Sequence, residues 1–183
     1  TQYHLVTNET PFYPEGGGQI GDTGEIISNS ASIAVKNTFR DGEDIIHLVD
    51  NLPIELGDSL LMKIDKNRRL SIQRNHTSTH LLQFALKKTL GNHVEQRGSM
   101  LTEDIFRFDF SHQSKLSNKE LSDAEKIVKS LIKDEIQCIE EKQANYNDAV
   151  KAGAIGLFSE KYGDVVRTVS YTHLQPTRQD RIS

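Results

Sequence analysis

In the stretch Arg74-Asn75-His76-Thr77-Ser78-Thr79-His80-Leu81-Leu82 two imidazoles stand four residues apart. On a helix that spacing puts both side chains on one face, one turn apart. His76 and His80 could then reach a single ion through ring nitrogens about 2.0–2.1 Å from zinc. The competing reading is two polar residues on a helix surface. A protease helix of the His-Glu-x-x-His type is excluded, because Thr77 occupies the position of the general-base glutamate. The second distinctive stretch is Thr10 to Gly24, "TPFYPEGGGQIGDTG". Gly16, Gly17 and Gly18 permit positive φ and close backbone approach, but the segment lacks both the Gly-Lys-Ser/Thr of a phosphate loop and the dinucleotide fingerprint. A tight turn between strands is its alternative reading. His93, Glu95 and Gln96 form a polar loop close enough to line a site at the end of the histidine helix. His4, His47 and His112 sit among strand or turn residues, where most histidines are solvated or hydrogen-bonded.

The elements that must position these residues fall into two textures. From Thr1 to about Asp65, short apolar runs ("YHLV", "GEIIS", "ASIAVKNTF", "DIIHLVD", "SLLMKID") alternate with Gly, Pro, Asn and Asp, the pattern of closely spaced β-strands in a small antiparallel barrel or sandwich. From about Arg68 the pattern turns helical. A helix is predicted from about Asn67 to Leu90, stopped by Gly91. "GSMLTEDIFRFDFSH" alternates like a strand. Ser117-x-x-Glu120 is a capping box ahead of "LSDAEKIVKSLIKDEIQ", whose Leu121, Ala124, Ile127, Val128, Leu131 and Ile132 make one apolar face. Cys138 is expected late in this helix, as core filler. A short helix in "NDAVKAGAI", stopped at Gly153, and a strand in "DVVRTV" follow. The order implies two subdomains, the second α+β.

The chain has 183 residues, 36% hydrophobic and 26% charged, and a net charge of −4. That is ordinary for a soluble globular protein, and no run approaches the roughly 18 apolar residues of a membrane helix. The acidic balance means that a nucleic-acid partner would need a local basic patch or neighbouring domains. One cysteine excludes an internal disulfide and suits a reducing cytoplasm. A first residue of Thr instead of Met suggests a start within a longer protein.

Taken together, "TPFYPEGGGQIGDTG", "RNHTSTHLLQFALKKTLGNHVEQRGSM", "RFDFSH" and "GAIGLFSEKYGDVVR" resemble the editing region of the alanyl-tRNA synthetases, in the family's order and over about Val6 to Arg167. The resemblance implies a β-barrel subdomain at 1–66 followed at 67–168 by the α+β editing domain shared with threonyl-tRNA synthetases. It implies hydrolysis of the ester that joins serine or glycine to the alanine tRNA. The partners it implies are the acceptor end of that tRNA and the other synthetase domains, and the location is the cytoplasm. It implies one zinc ion held by His-x-x-x-His, matched by His76 and His80, plus a later Cys-x-x-x-His. It also implies that Gln96 contacts substrate and that the Gly16–Gly18 loop packs near the pocket. ATP and Mg2+ belong to the aminoacylation domain, which is absent here.

The sequence departs from the family after "KYGDVVR", where Cys-Gly-Gly-Thr-His is expected and "TVSYTHLQPTRQDRIS" stands instead. Cys138 has no histidine four residues later. "YTHLQP" is similar to a segment of the fumarase superfamily, but nothing else suggests that superfamily's long helical bundle. "VSYTHL" also matches the translation of a transposon-derived sequencing adapter, so residues 169–183, including Thr172 and His173, are expected to be non-native. Two other readings stay open: a free-standing trans-editing deacylase, and a tRNA-binding module without catalysis.

Overall fold

Alternating apolar residues in five short segments pair into an antiparallel sheet. The strands are β1 (Tyr3–Leu5), β2 (Gly24–Ser28), β3 (Ala31–Asp41), β4 (Asp44–Val49) and β5 (Leu61–Ile64), in the order β1-β4-β3-β2-β5. This computed structural model describes residues 1–28, 31–52, 59–151 and 164–171, and the backbone of 177–178. It divides into two compact units, Thr1–Thr77 with Gly98–Phe108, and Ser78–Arg97 with Asp109–Ser183.

In the first unit, Leu5, Phe12, Ile26, Ile33, Val35 and Val49 make the core, with Leu60, Met62 and Ile64 packed against it. A bulge between Val35 and Asn37 shifts the alternation of β3, so that Ile33, Val35 and then Thr38 are buried. One extra residue has this effect because the strand period is two. The expected small barrel is corrected to an open sheet. Among the described residues β1 and β5 are its edges, and at three and four residues they offer too short a ladder to close it.

The helix α1 (Lys66–Leu90) begins where Asp65 caps it, with Oδ1 accepting from the Arg68 amide at 3.0 Å. It ends at Gly91, whose φ of 113° suits glycine. Lys87 and Lys88 complement the dipole in its last turn. The segment expected as one strand is a hairpin of β6 (Gln96–Leu101) and β7 (Phe106–Phe110). Thr102 Oγ1 accepts from the amides of Asp104 and Ile105 at its turn.

In the second unit the Ser117 capping box is formed. The Glu120 amide donates to Ser117 Oγ at 3.2 Å, and the Ser117 amide to Glu120 Oε2 at 2.7 Å. The helix α2 spans Asn118–Lys133 and buries Ala124, while Leu121 and Ile132 of its expected apolar face are exposed. It ends earlier than expected because Glu135 turns to φ 48°. Cys138 is therefore not helical core filler. It is exposed and opens β8 (Cys138–Asn145), which pairs antiparallel with β9 (Val165–Tyr171). The short helix α3 (Tyr146–Lys151) follows β8, and the two-residue β10 (Thr177–Arg178) pairs with β9. Gly153, Thr172 and His173 lie outside the described residues. No helix among the described residues is long and apolar enough to cross a membrane.

Asp22 is the polar centre of the first unit. It is 2% exposed and receives both Nε and Nη2 of Arg69, the Nε at 2.8 Å, and the Tyr13 amide at 2.7 Å. Asp22→Ala would leave Arg69 half-buried without its counter-ion, and should cost about 3 kcal/mol. A urea-unfolding midpoint unchanged from the unaltered chain would contradict this. His47, fully buried in β4, donates Nδ1–H to the Leu5 carbonyl at 2.9 Å and accepts from Thr10 Oγ1 at 2.7 Å. Burial lowers its pKa below the ordinary 6.5, against a smaller opposing effect of the Leu5 hydrogen bond. Its stabilising contribution is thus complete above pH 6.5 and is lost as pH falls through the lowered folded value. A His47→Gln variant should lose less stability than the unaltered chain on going from about pH 7 to about pH 5, by thermal melts across that range.

Candidate functional site

The glycine stretch builds a hairpin turn. Gly17 and Gly18 take φ of 58° and 83°, the positive pair of a type I′ turn, while the backbones of Gly16 and Gln19 exchange hydrogen bonds of 3.1 and 2.9 Å. The turn is stitched to β6, with the Leu101 amide donating to the Gly18 carbonyl at 2.8 Å and the Ile20 amide to the Leu101 carbonyl at 3.2 Å. A Cβ on Gly18 would stand 2.3 Å from the Ser99 carbonyl oxygen, so only glycine permits this approach.

The residue after this turn, Gln19, is where the glycines meet the histidine helix. Its Oε1 lies 3.2 Å from His76 Nδ1, and Gln19 is itself buried. A carbonyl oxygen only accepts, so the contact holds the imidazole proton on Nδ1 and leaves the lone pair on Nε2. An outer partner of this type is what orients histidines that ligate metals.

His76 and His80 both lie in the continuous helix α1, one turn apart, at the spacing the sequence suggests. The ring of His80 lies 6.0 Å from that of Tyr171 in β9. Among the described residues no three His, Cys, Asp or Glu side chains gather as a metal site. The two histidines with Gln19 behind His76 therefore fit half of a zinc site. Gln96 opens β6, half-buried, beside Glu95, whose amide donates to Ser111 Oγ at 3.0 Å. His93 is paired with a second imidazole. Its Nε2 is 2.9 Å from Nδ1 of His112 and the two rings stack.

Sequence reasoning missed Gln19, Thr79 and Gln83. Thr79 and Gln83 are 5% and 4% exposed on α1, and Gln83 Nε2 has no hydrogen-bond partner among the described residues. Their signal was available. His76, Thr79, His80 and Gln83 occupy the i, i+3, i+4, i+7 positions that apolar residues take in an ordinary core-facing helix.

The family model described as tRNA synthetases class II (A) matches residues 1–68. Three curated relatives are alanine--tRNA ligases. That of Cytophaga hutchinsonii is 43% identical over 170 residues, 93% of this chain and 19% of the relative. That of Christiangramia forsetii is 42% identical over 170 residues, 92% and 20%. That of Pseudothermotoga lettingae is 45% identical over 172 residues, with the same two shares. The chain spans about a fifth of the length of these relatives.

Gly18→Ala should cost about 2 kcal/mol or more in urea unfolding, from the positive φ and the contact with Ser99. Gly42→Ala, where nothing lies within 4 Å of the added carbon, should cost only the strain of its φ of 61°. Equal losses at the two positions would refute the close-approach argument.

Proposed function

Since this chain belongs with the alanine--tRNA ligases, matching about one-fifth of their length, we propose that it is the portion that edits mischarged tRNA. Its substrates on this reading are seryl- and glycyl-esters of the alanine tRNA, and the whole enzyme joins alanine to that tRNA with ATP and Mg2+ in the cytoplasm. The physical need is that a pocket sized for alanine cannot exclude the smaller glycine. Against serine, which adds only a hydroxyl, it discriminates by no more than about 10²-fold. A second site must remove what the first admits.

The observation that supports this reading best is His76 fixed through Nδ1 by Gln19, one turn from His80 on α1. His76 Nε2 and a ring nitrogen of His80 would hold zinc, and the ion, when bound, would supply Lewis acidity toward the ester carbonyl or a bound water. Gln19 keeps His76 in the tautomer that presents Nε2 and holds its ring in place. The Gly17–Gly18 turn holds Gln19 there. Gln96 is the residue we assign to substrate contact. Among the described residues only two protein ligands are present where three or four are usual, and two alone would hold zinc weakly. A second reading, a tRNA-binding module without catalysis, is favoured by the absence of a third clustered ligand among the described residues.

The test is deacylation of Ser-tRNA(Ala) and Gly-tRNA(Ala) by the chain in excess zinc, beside His76→Ala, His80→Ala and Gln19→Ala. Each histidine variant should abolish hydrolysis and zinc retention. Gln19→Ala should weaken zinc binding about 10- to 100-fold, by competition with a chromogenic chelator. Tight tRNA binding without hydrolysis, unaffected by the histidine variants, would instead establish the binding module.

A further inference from the structure

Gln83 is a buried amide on α1 whose Nε2 finds no acceptor among the described residues, at 4% exposure. A native protein rarely leaves such a donor unmet, because burying it without a partner costs the full desolvation of the group. The two N–H bonds of Nε2 can only donate, so whatever completes this position must bring a hydrogen-bond acceptor. Gln83 also has a setting that points to a ligand. It stands three residues beyond His80, about 4.5 Å further along the axis of the same helix, and four beyond the buried Thr79. A rigid helix therefore places an unmet donor about one turn past a residue assigned to hold the zinc ion.

We propose that Gln83 is the specificity-determining residue of the site, and that its Nε2–H donates to the side-chain hydroxyl of a seryl ester and thereby spares the alanyl ester. This rests on the editing reading given above. An editing site has a harder task than admitting serine: it must leave correctly charged alanyl-tRNA intact, and serine differs from alanine by one hydroxyl alone. A site that hydrogen-bonds a substrate hydroxyl rejects the analogue lacking it far more strongly than an apolar pocket can reject added bulk, because the protein's own buried group is left unpaired. Serine supplies the acceptor. Alanine puts a methyl against the donor and excludes the water that would have met it. Glycine carries no side chain there, so a water can remain and accept the hydrogen bond in place of the hydroxyl. The same donor thus orders the three esters as seryl, then glycyl, then alanyl.

The experiment measures binding of three hydrolysis-resistant analogues to the full chain by calorimetry. These are 3′-deoxyadenosines carrying serine, glycine or alanine through a 3′-amide instead of the ester. The unaltered chain should bind the seryl analogue about 10-fold or more tighter than the alanyl one, with glycyl between. Gln83→Met keeps the length of the side chain and removes the donor, and its seryl-to-alanyl ratio should fall to about one or invert. Should Gln83→Met fail to fold, the side-chain amide resonance of Gln83 in the unaltered chain decides the matter. It should shift with the seryl analogue and not with the alanyl one. A ratio that persists in Gln83→Met, or a Gln83 amide that ignores the seryl analogue, overturns this assignment and leaves the editing reading standing. Failure of all three analogues to bind the unaltered chain overturns the editing reading, and this inference with it.

Discussion

The buried pairing of Asp22 with Arg69 is the constraint on which the first unit depends. A carboxylate that is 2% exposed is tolerable only if its charge and lone pairs are met. Here the guanidinium of Arg69 meets both oxygens, Nη2 also donating to the Pro11 carbonyl at 3.1 Å, and the Tyr13 amide adds a further donor. The backbone of the same residue is tied as well, its carbonyl accepting from Thr38 Oγ1 at 2.9 Å and its amide donating to Tyr13 at 2.9 Å. Asp22, through side chain and backbone, and its partner Arg69 thus fix the stretch around Pro11–Tyr13, the strand β3 and the start of α1 together. Arg68, one position earlier, repeats the tie with Nη1 on the Gly21 carbonyl at 2.7 Å and Nε on Glu103 at 3.1 Å.

What this clamp holds steady is the path from Tyr13 to Asp22, and within it the Gly17–Gly18 turn. The turn contributes no chemistry of its own. Its glycines let the chain run against Ser99 and Leu101, so that Gln19 arrives with its amide oxygen on His76. The site is therefore ordered from the outside in: an ion pair fixes a loop, the loop fixes an amide, and the amide fixes the tautomer of an imidazole.

Much of this was legible before the structure, for identifiable reasons. The end of α1 follows from Gly91, and the start of α2 from Ser117 and Glu120, because caps are local signals. The end of α2 was not legible. "KDEIQCIEEK" keeps helix-forming residues throughout, and the break comes at Glu135, a residue that neither glycine nor proline announces. The strand β8 was lost with it, since its pairing comes from β9, which lies beyond α3. Closure of the sheet was not legible either, because strand spacing speaks of pairing and says nothing of closure. The partnership of Asp22 with Arg69, 47 residues apart, left no mark in either neighbourhood.

The stripe of polar residues on α1 is the deeper lesson in reading such a chain. A helix that contributes to a core needs apolar groups at i, i+3, i+4 and i+7, and here Ile72, Leu81, Ala85 and Leu86 supply the burial from neighbouring positions. The positions held by His76, Thr79, His80 and Gln83 therefore carry stability costs, and propensity alone would not keep four of them together. Polar groups placed on helices hold their spacing to a fraction of an ångström better than those on loops, because the backbone hydrogen bonds allow no independent movement. On the editing reading proposed above, a reaction that must tell a hydroxyl from a methyl would need that spacing. It is the reason to look for discrimination on α1 itself, and not only in the loops around it.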